Sequence, residues 1–271
     1  MKKRISFAIS LLLLLPTGMH AAVIDTLLVH SKSMKTDIKV VTIYPNKTNS
    51  KEQCPVIYLL HGHGGNETKW LELKPELPQI AEREGIIFVC PDGKNSWYWD
   101  SPRNKNYRFE TFVAKELVEY IDTHYATKAD KKNRAITGFS MGGHGALWLS
   151  IRHKDIFGAT GSMSGGLDIR PFPNSWNMKE QLGEKAENEQ VWNEHTVINQ
   201  LNKIIDGDLA IIIDCGCEDF FLDANRTVHN ILLKNKISHD FIIRPGGHNG
   251  QYWNNAIDYQ ILFFCKFFKQ S

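Results

Sequence analysis

The sequence predicts a doubly wound, mostly parallel α/β sheet with antiparallel strands at its N-terminal side and helices on both faces. Three observations predict it: two alternating segments come first, continuous apolar runs ending in glycine or polar residues then recur, and stretches of helical periodicity separate them. A strand apolar at every position is buried on both faces, as a parallel strand covered by helices must be.

The elements follow in order. Residues 23–30 and 36–44 alternate and are joined by the polar turn Ser31-Lys32-Ser33, so they read as a hairpin, after which 45–50 form a polar loop. Residues 56–60 and 86–90 are continuous apolar runs with a helical stretch at 77–84 between them. Phe109, Phe112, Val113, Leu117, Val118, Ile121 and Tyr125 recur at helical spacing and predict one long amphipathic helix. Further strands are expected at 135–137, 159–163, 209–214 and 241–244, with helices at 142–151, 222–234 and 252–268. Residues 166–208, which include Trp176 and Trp192, are a polar and aromatic excursion between two core strands; an insertion after the carboxyl end of a strand often covers a site. With no internal repeat or low-complexity linker, 23–271 read as a single domain.

The 271 residues begin with Met1-Lys2-Lys3-Arg4, an apolar run from Ile5 to Leu15, and Gly18-Met19-His20-Ala21-Ala22. This is the charged, apolar and small-residue order of a secretory signal peptide over residues 1–22, and the apolar run is shorter than the ~20 residues that span a bilayer. The expectation is export to the periplasm or beyond, without a membrane anchor. Loss of Lys2, Lys3 and Arg4 takes the formal charge from +2 to −1, too small a field to suggest a nucleic-acid partner. The five cysteines, Cys54, Cys90, Cys215, Cys217 and Cys265, match neither a zinc knuckle nor a redox C-x-x-C and are expected to be mostly buried and structural.

Gly138-Phe139-Ser140-Met141-Gly142 is a G-x-S-x-G pattern set between a predicted strand and a predicted helix, the setting of a nucleophile elbow. A serine hydroxyl is a poor nucleophile, and a sharp turn exposes it to a base on one side and an acyl carbon on the other. Polar groups also follow the other apolar runs, where ligands of open α/β sheets sit. After Leu60 come His61-Gly62-His63-Gly64-Gly65; after Ile213 come Asp214, Glu218, Asp219 and Asp223; after Arg244 come Gly246-Gly247-His248. The order is serine, acid, histidine, with His248 placed to take and return the Ser140 proton. Asp219 has the best reach, with Asp214 and Glu218 as alternatives for the acid. A backbone N–H of the Gly62–Gly65 stretch and that of Met141 are candidates for an oxyanion hole. His61 and His63 lie two apart with no carboxylate nearby in sequence, so no metal site is expected, and no cofactor is called for.

Four blocks now stand together: residues 58–65, the extended elbow Thr137-Gly138-Phe139-Ser140-Met141-Gly142-Gly143-His144-Gly145-Ala146, Asp214-Cys215-Gly216 leading to Asp219-Phe220, and Gly246-Gly247-His248. With them the chain resembles the putative-esterase family of α/β-hydrolases, which includes tributyrin esterases, feruloyl and acetyl-xylan esterases, S-formylglutathione hydrolases and mycolyltransferases. The resemblance implies Ser140 as nucleophile, Asp219 as acid, His248 as base, and the N–H groups of His63 and Met141 as oxyanion hole. Several relatives carry an aromatic shortly after the catalytic histidine, where this chain has Asn249-Gly250-Gln251 before Tyr252-Trp253. Export argues against an intracellular thioester substrate. Trp97, Trp99 and Trp176, in loops, offer flat faces for sugar rings or an aromatic acyl group. The expected activity is hydrolysis of acetyl or feruloyl esters on plant polysaccharide. A short-chain general esterase, an acyltransferase and a non-catalytic binding protein are the alternatives on the same fold.

Overall fold

The computed structural model describes residues 22–46 and 52–270. The leader expected over 1–22 and the loop expected over 45–50 lie outside these residues, save for residues 22, 45 and 46. Eight strands form one sheet in the order β1-β2-β4-β3-β5-β6-β7-β8. They are β1 Val23–Ser31, β2 Thr36–Tyr44, β3 Val56–Leu60, β4 Ile87–Pro91, β5 Arg134–Gly138, β6 Ala159–Met163, β7 Ala210–Gly216 and β8 Asp240–Arg244. The β1–β2 and β2–β4 pairs are antiparallel and every other pair is parallel. The expected doubly wound sheet with an antiparallel N-terminal side is therefore what forms.

Each parallel strand from β3 to β6 is buried at all five of its positions, which is why these segments read as apolar or small-residue runs, save for Arg134 at the start of β5, which pairs with Asp122 at 2.6 Å. On one face of the sheet, the Leu77–Glu84 and Gly250–Gln270 helices bury Leu77, Ile80, Ile257 and Phe264. On the other, residues 109–124 and the Met141–Arg152 and Leu222–Lys234 helices bury Phe112, Leu117, Leu147 and Val228. The long helix expected from Phe109 to Tyr125 is three pieces in the structure: Phe109–Thr111, a π turn over Phe112–Glu116, and Leu117–His124, with Tyr125 already extended. A π turn shifts the side-chain register without breaking the run, so helical spacing alone does not reveal it. The 166–208 excursion holds the short helices Met178–Leu182 and Glu189–Glu194. Among the described residues no helix is long and apolar enough to cross a membrane.

The topology creates the site. The chain leaves β3 for β4 on one side and later returns to place β5 on the other, so strand order reverses between β3 and β5, where open α/β sheets form a crevice. Leu60 pairs with Gly138, which brings the loop after β3 and the turn after β5 out side by side. The carboxyl ends of β7 and β8 are likewise in register, Gly216 opposite Arg244.

Candidate active site

Ser140 sits at the turn between β5 and the Met141–Arg152 helix with φ 55° and ψ −119°, a conformation that bulky L-residues avoid. Its N–H donates to the Met163 carbonyl at 2.9 Å, and its hydroxyl does not cap the helix, which leaves Oγ to face outward. The tightness of the turn explains its glycines. A Cβ on Gly138 would stand 2.5 Å from the Gly142 backbone, and one on Gly142 2.3 Å from the Leu60 carbonyl oxygen.

Two later loops meet the serine. His248 Nε2 lies 2.9 Å from Ser140 Oγ, and its Nδ1 lies 2.9 Å from Asp219 Oδ2. Asp219 is buried, and its other oxygen accepts the Phe221 N–H at 2.9 Å. A carboxylate fixed by a backbone donor and facing Nδ1 selects the tautomer with hydrogen on Nδ1, so Nε2 presents its lone pair to the serine hydroxyl. The competing acids are elsewhere. Asp214 is fully buried, holds Arg244 and the Tyr252 hydroxyl, and has its pKa raised, chiefly by burial. Glu218 is exposed, and Asp223 is exposed beside Arg226.

The loop after β3 is tied down from three sides. The His61 ring donates from Nδ1 to the Gly62 carbonyl (2.7 Å) and accepts the Gly93 N–H on Nε2 (2.8 Å). Tyr98 donates its hydroxyl to the His61 carbonyl at 3.1 Å, and the Gly64 N–H donates to Asn95 Oδ1 at 2.9 Å. His63 Nε2 lies 2.8 Å from Asn177 Oδ1, which links this loop to the excursion. The Gly65 and Gly142 N–H groups donate to nearby carbonyls, whereas no hydrogen bond among the described residues takes up those of His63 or Met141. Met141 opens its helix, where N–H groups lack intrahelical partners and favour negative charge. Among the described residues, no group of three or more His, Cys, Asp or Glu is arranged to hold a metal ion.

The tryptophans divide. Trp97 and Trp99 are 1% and 0% exposed and stack on each other at 5.6 Å, so neither offers a face to a ligand. Their indole N–H groups donate to the Trp176 carbonyl (3.1 Å) and to His144 Nε2 (2.9 Å), and with both polar ends satisfied the rings close into the core. His144, itself buried, donates from Nδ1 to the Gly166 carbonyl, and desolvation pushes its pKa down to about 3. Trp176, by contrast, is half-buried and lies nearly parallel to Phe220, at 5.8 Å and 15°. Phe220 is 53% exposed, and its ring centre is 4.4 Å from that of His248. Phe172 completes this strip, and Trp253 meets His248 edge-on at 4.9 Å. Phe220 is not among the aromatics that the sequence singles out, although its place directly after Asp219 is a usable signal. Of the cysteines, Cys54, Cys90, Cys215 and Cys265 are buried and Cys217 is exposed.

A strained serine, an in-line histidine and a buried carboxylate at the switch point of a parallel sheet define an α/β-hydrolase-fold carboxylic ester hydrolase. Residues 31–264 match the family model described as "Putative esterase", and the chain belongs to that family. It is 26% identical over 253 residues to an acetyl esterase of Caldicellulosiruptor saccharolyticus, covering 84% of this chain and 92% of that one. It is 34% identical over 132 residues to an endo-1,4-beta-xylanase/feruloyl esterase of Xylanibacter ruminicola, covering 43% of this chain and 17% of the relative. A solved ferulic acid esterase superposes with TM-score 0.75 and 30% identity, covering 90% of this chain and 96% of its own.

Proposed function

We propose that the protein is an exported serine esterase that removes acetyl or feruloyl groups from plant polysaccharide through an acyl-enzyme on Ser140. The carrying observation is the continuous relay from Ser140 Oγ through His248 to buried Asp219, at 2.9 Å for each link. His248 takes the hydroxyl proton as Oγ attacks the ester carbon, and the carbonyl oxygen, now negative, meets the N–H groups of His63 and Met141. Collapse of the tetrahedral species breaks the bond to the alcohol, which leaves with the proton from His248. Water, activated by the same histidine, then repeats the sequence on the acyl-enzyme and frees the acid.

The substrate reading draws support from relatives named as acetyl and feruloyl esterases, one of them joined to a xylanase. The Trp176–Phe220 strip beside His248 suits a flat ring on either the acyl or the sugar side. Export rests on the leader-like residues 1–22. The test is turnover of p-nitrophenyl acetate and of a panel of acetyl, butyryl and feruloyl esters on free and xylan-linked alcohols. Ser140→Ala and His248→Ala are expected to abolish all of it with an unchanged circular-dichroism spectrum. Near wild-type turnover in either variant would refute the mechanism, and a preference for free butyryl esters would move the substrate to the short-chain class.

A further inference from the structure

Away from Ser140 the fold forms a half-open cleft of about 530 Å³, within the usual range for small-molecule sites. It lies between the loop carrying Asp100 and Arg108, the end of the Met141–Arg152 helix, and residues 194–203 of the excursion. Arg152 is eleven residues along the helix from Met141, or roughly 16 Å at the helical rise, so an occupant would not touch the serine.

The lining is charged yet balanced: Arg108, Arg152 and Lys203 face Asp100, Glu110 and Glu194. Two of these cations are already paired, Arg108 with Asp100 at 2.9 Å and Arg152 Nε with Glu110 at 2.8 Å. Hydrogen-bonding capacity nevertheless remains on both sides of the balance. Among the described residues the Lys203 ammonium hydrogen-bonds only to the side-chain amide oxygen of Gln200, and the Arg152 Nη atoms have no hydrogen-bond partner, the guanidinium lying over the Trp148 ring at 4.5 Å. His195 donates from Nδ1 to the Val191 carbonyl at 2.8 Å, so its Nε2 is an acceptor with no hydrogen-bond partner among the described residues, and burial lowers its pKa, which favours that neutral form. Glu194 has one oxygen on the Gln190 amide, and the other has no hydrogen-bond partner among the described residues. A balanced lining gives no preference for an ion. It does match a ligand whose every polar atom both donates and accepts, which is the chemistry of a sugar hydroxyl.

We propose that this cleft is a second carbohydrate subsite that takes an uncharged sugar of the glycan carrying the ester. The choice of glycan rests on the polysaccharide reading above. The test is calorimetric titration of the full chain with xylotriose, before and after capping Ser140 with a fluorophosphonate, alongside p-nitrophenyl acetate turnover. Saturable binding that survives capping is expected, weakened about tenfold by either Lys203→Ala or Glu194→Ala through loss of a charge-assisted hydrogen bond. Both side chains are exposed, and turnover by both variants should stay at the wild-type level. Absence of binding, binding by both variants as tight as that of the wild type, or tighter binding of glucuronate or phosphate than of xylotriose would overturn the subsite. Failure of the esterase reading shows separately, as loss of wild-type p-nitrophenyl acetate turnover.

Discussion

Replacing Gly142 by alanine tests whether the spacing of two loops, rather than their composition, sets the rate. A Cβ at this position would lie 2.3 Å from the Leu60 carbonyl oxygen, 2.6 Å from the Leu60 carbonyl carbon and 2.7 Å from the His61 carbonyl oxygen, against ordinary contact at 3.4 Å and beyond. All three neighbours are backbone, so no side chain can swing away, and relief requires about 1 Å of relative movement. The groups that must part are the end of β3 and the start of the Met141–Arg152 helix. These carry the N–H groups of His63 and Met141, the proposed donors to the developing oxyanion. A misplacement of about 1 Å costs on the order of 100-fold in rate, and loss of one oxyanion donor about 100- to 1,000-fold. The same overpacking costs about 1–3 kcal/mol of stability, or roughly 2–4 °C in Tm per kcal/mol for a chain of this size. The assay is kcat on p-nitrophenyl acetate together with thermal unfolding. Gly207→Ala serves as control: Gly207 has φ +84° but nothing within 4 Å of an added Cβ. That variant should lose about 1–2 kcal/mol through backbone strain and keep full kcat. A Gly142→Ala enzyme with kcat within about threefold of wild type would refute the spacing argument.

Four further outcomes follow from the geometry. Asp219→Asn keeps the packing but no longer fixes the His248 tautomer, and kcat should fall by about four orders of magnitude, a loss measurable by burst kinetics. Phe220→Ala removes an exposed ring beside His248; KM for feruloyl esters should rise about three- to tenfold, with acetate turnover unchanged, and equal effects on both esters would argue against a ring-binding role. Trp99→Ala should cost about 3–5 kcal/mol in urea unfolding because the ring is wholly buried; a variant of wild-type stability with altered substrate binding would restore Trp99 to the site. Acid should destabilise the fold through His144, whose folded pKa of about 3 lies below the ordinary value of 6.5. The unfolded chain then binds the extra proton, so this contribution is complete above pH 6.5 and is lost as pH falls from there toward 3, by roughly 2 kcal/mol at pH 5. Urea unfolding of wild type and His144→Gln at pH 7 and pH 5 measures it, and an equal pH dependence in both proteins would refute it.

Much of the site was legible because its chemistry is local in sequence. Ser140, Asp219 and His248 each lie within a few residues of the carboxyl end of a strand, and parallel strands deliver such positions to one edge of the sheet. The acid needed more than position, because Asp214, Glu218 and Asp223 lie in the same neighbourhood. Their partners separate them: Asp219 faces His248, whereas Asp214 is held within the sheet by Arg244 and Tyr252, which come from 30 and 38 residues further along. Contacts at that separation leave no local signature. The π turn at Phe112–Glu116 escaped for a related reason, since its apolar spacing on either side is that of an α-helix.

The misplaced tryptophans show where a loop's composition misleads. Trp97 and Trp99 read as a binding surface because a loop is expected to face solvent. Here the excursion closes over that loop. The Trp97 indole reaches the Trp176 backbone, Tyr98 holds the His61 carbonyl, and Trp99 donates to His144, whose other nitrogen holds the Gly166 carbonyl. The three rings thus join the loop after β3, the helix after Ser140 and the start of the excursion into one packed unit. Aromatic side chains with satisfied polar ends supply that rigidity at low entropic cost. The ring left facing solvent is Phe220, which follows Asp219 and lies against His248 and Trp176. Support and recognition are therefore divided between two aromatic groups. Truncating Trp99 should act on stability, and truncating Phe220 on substrate choice.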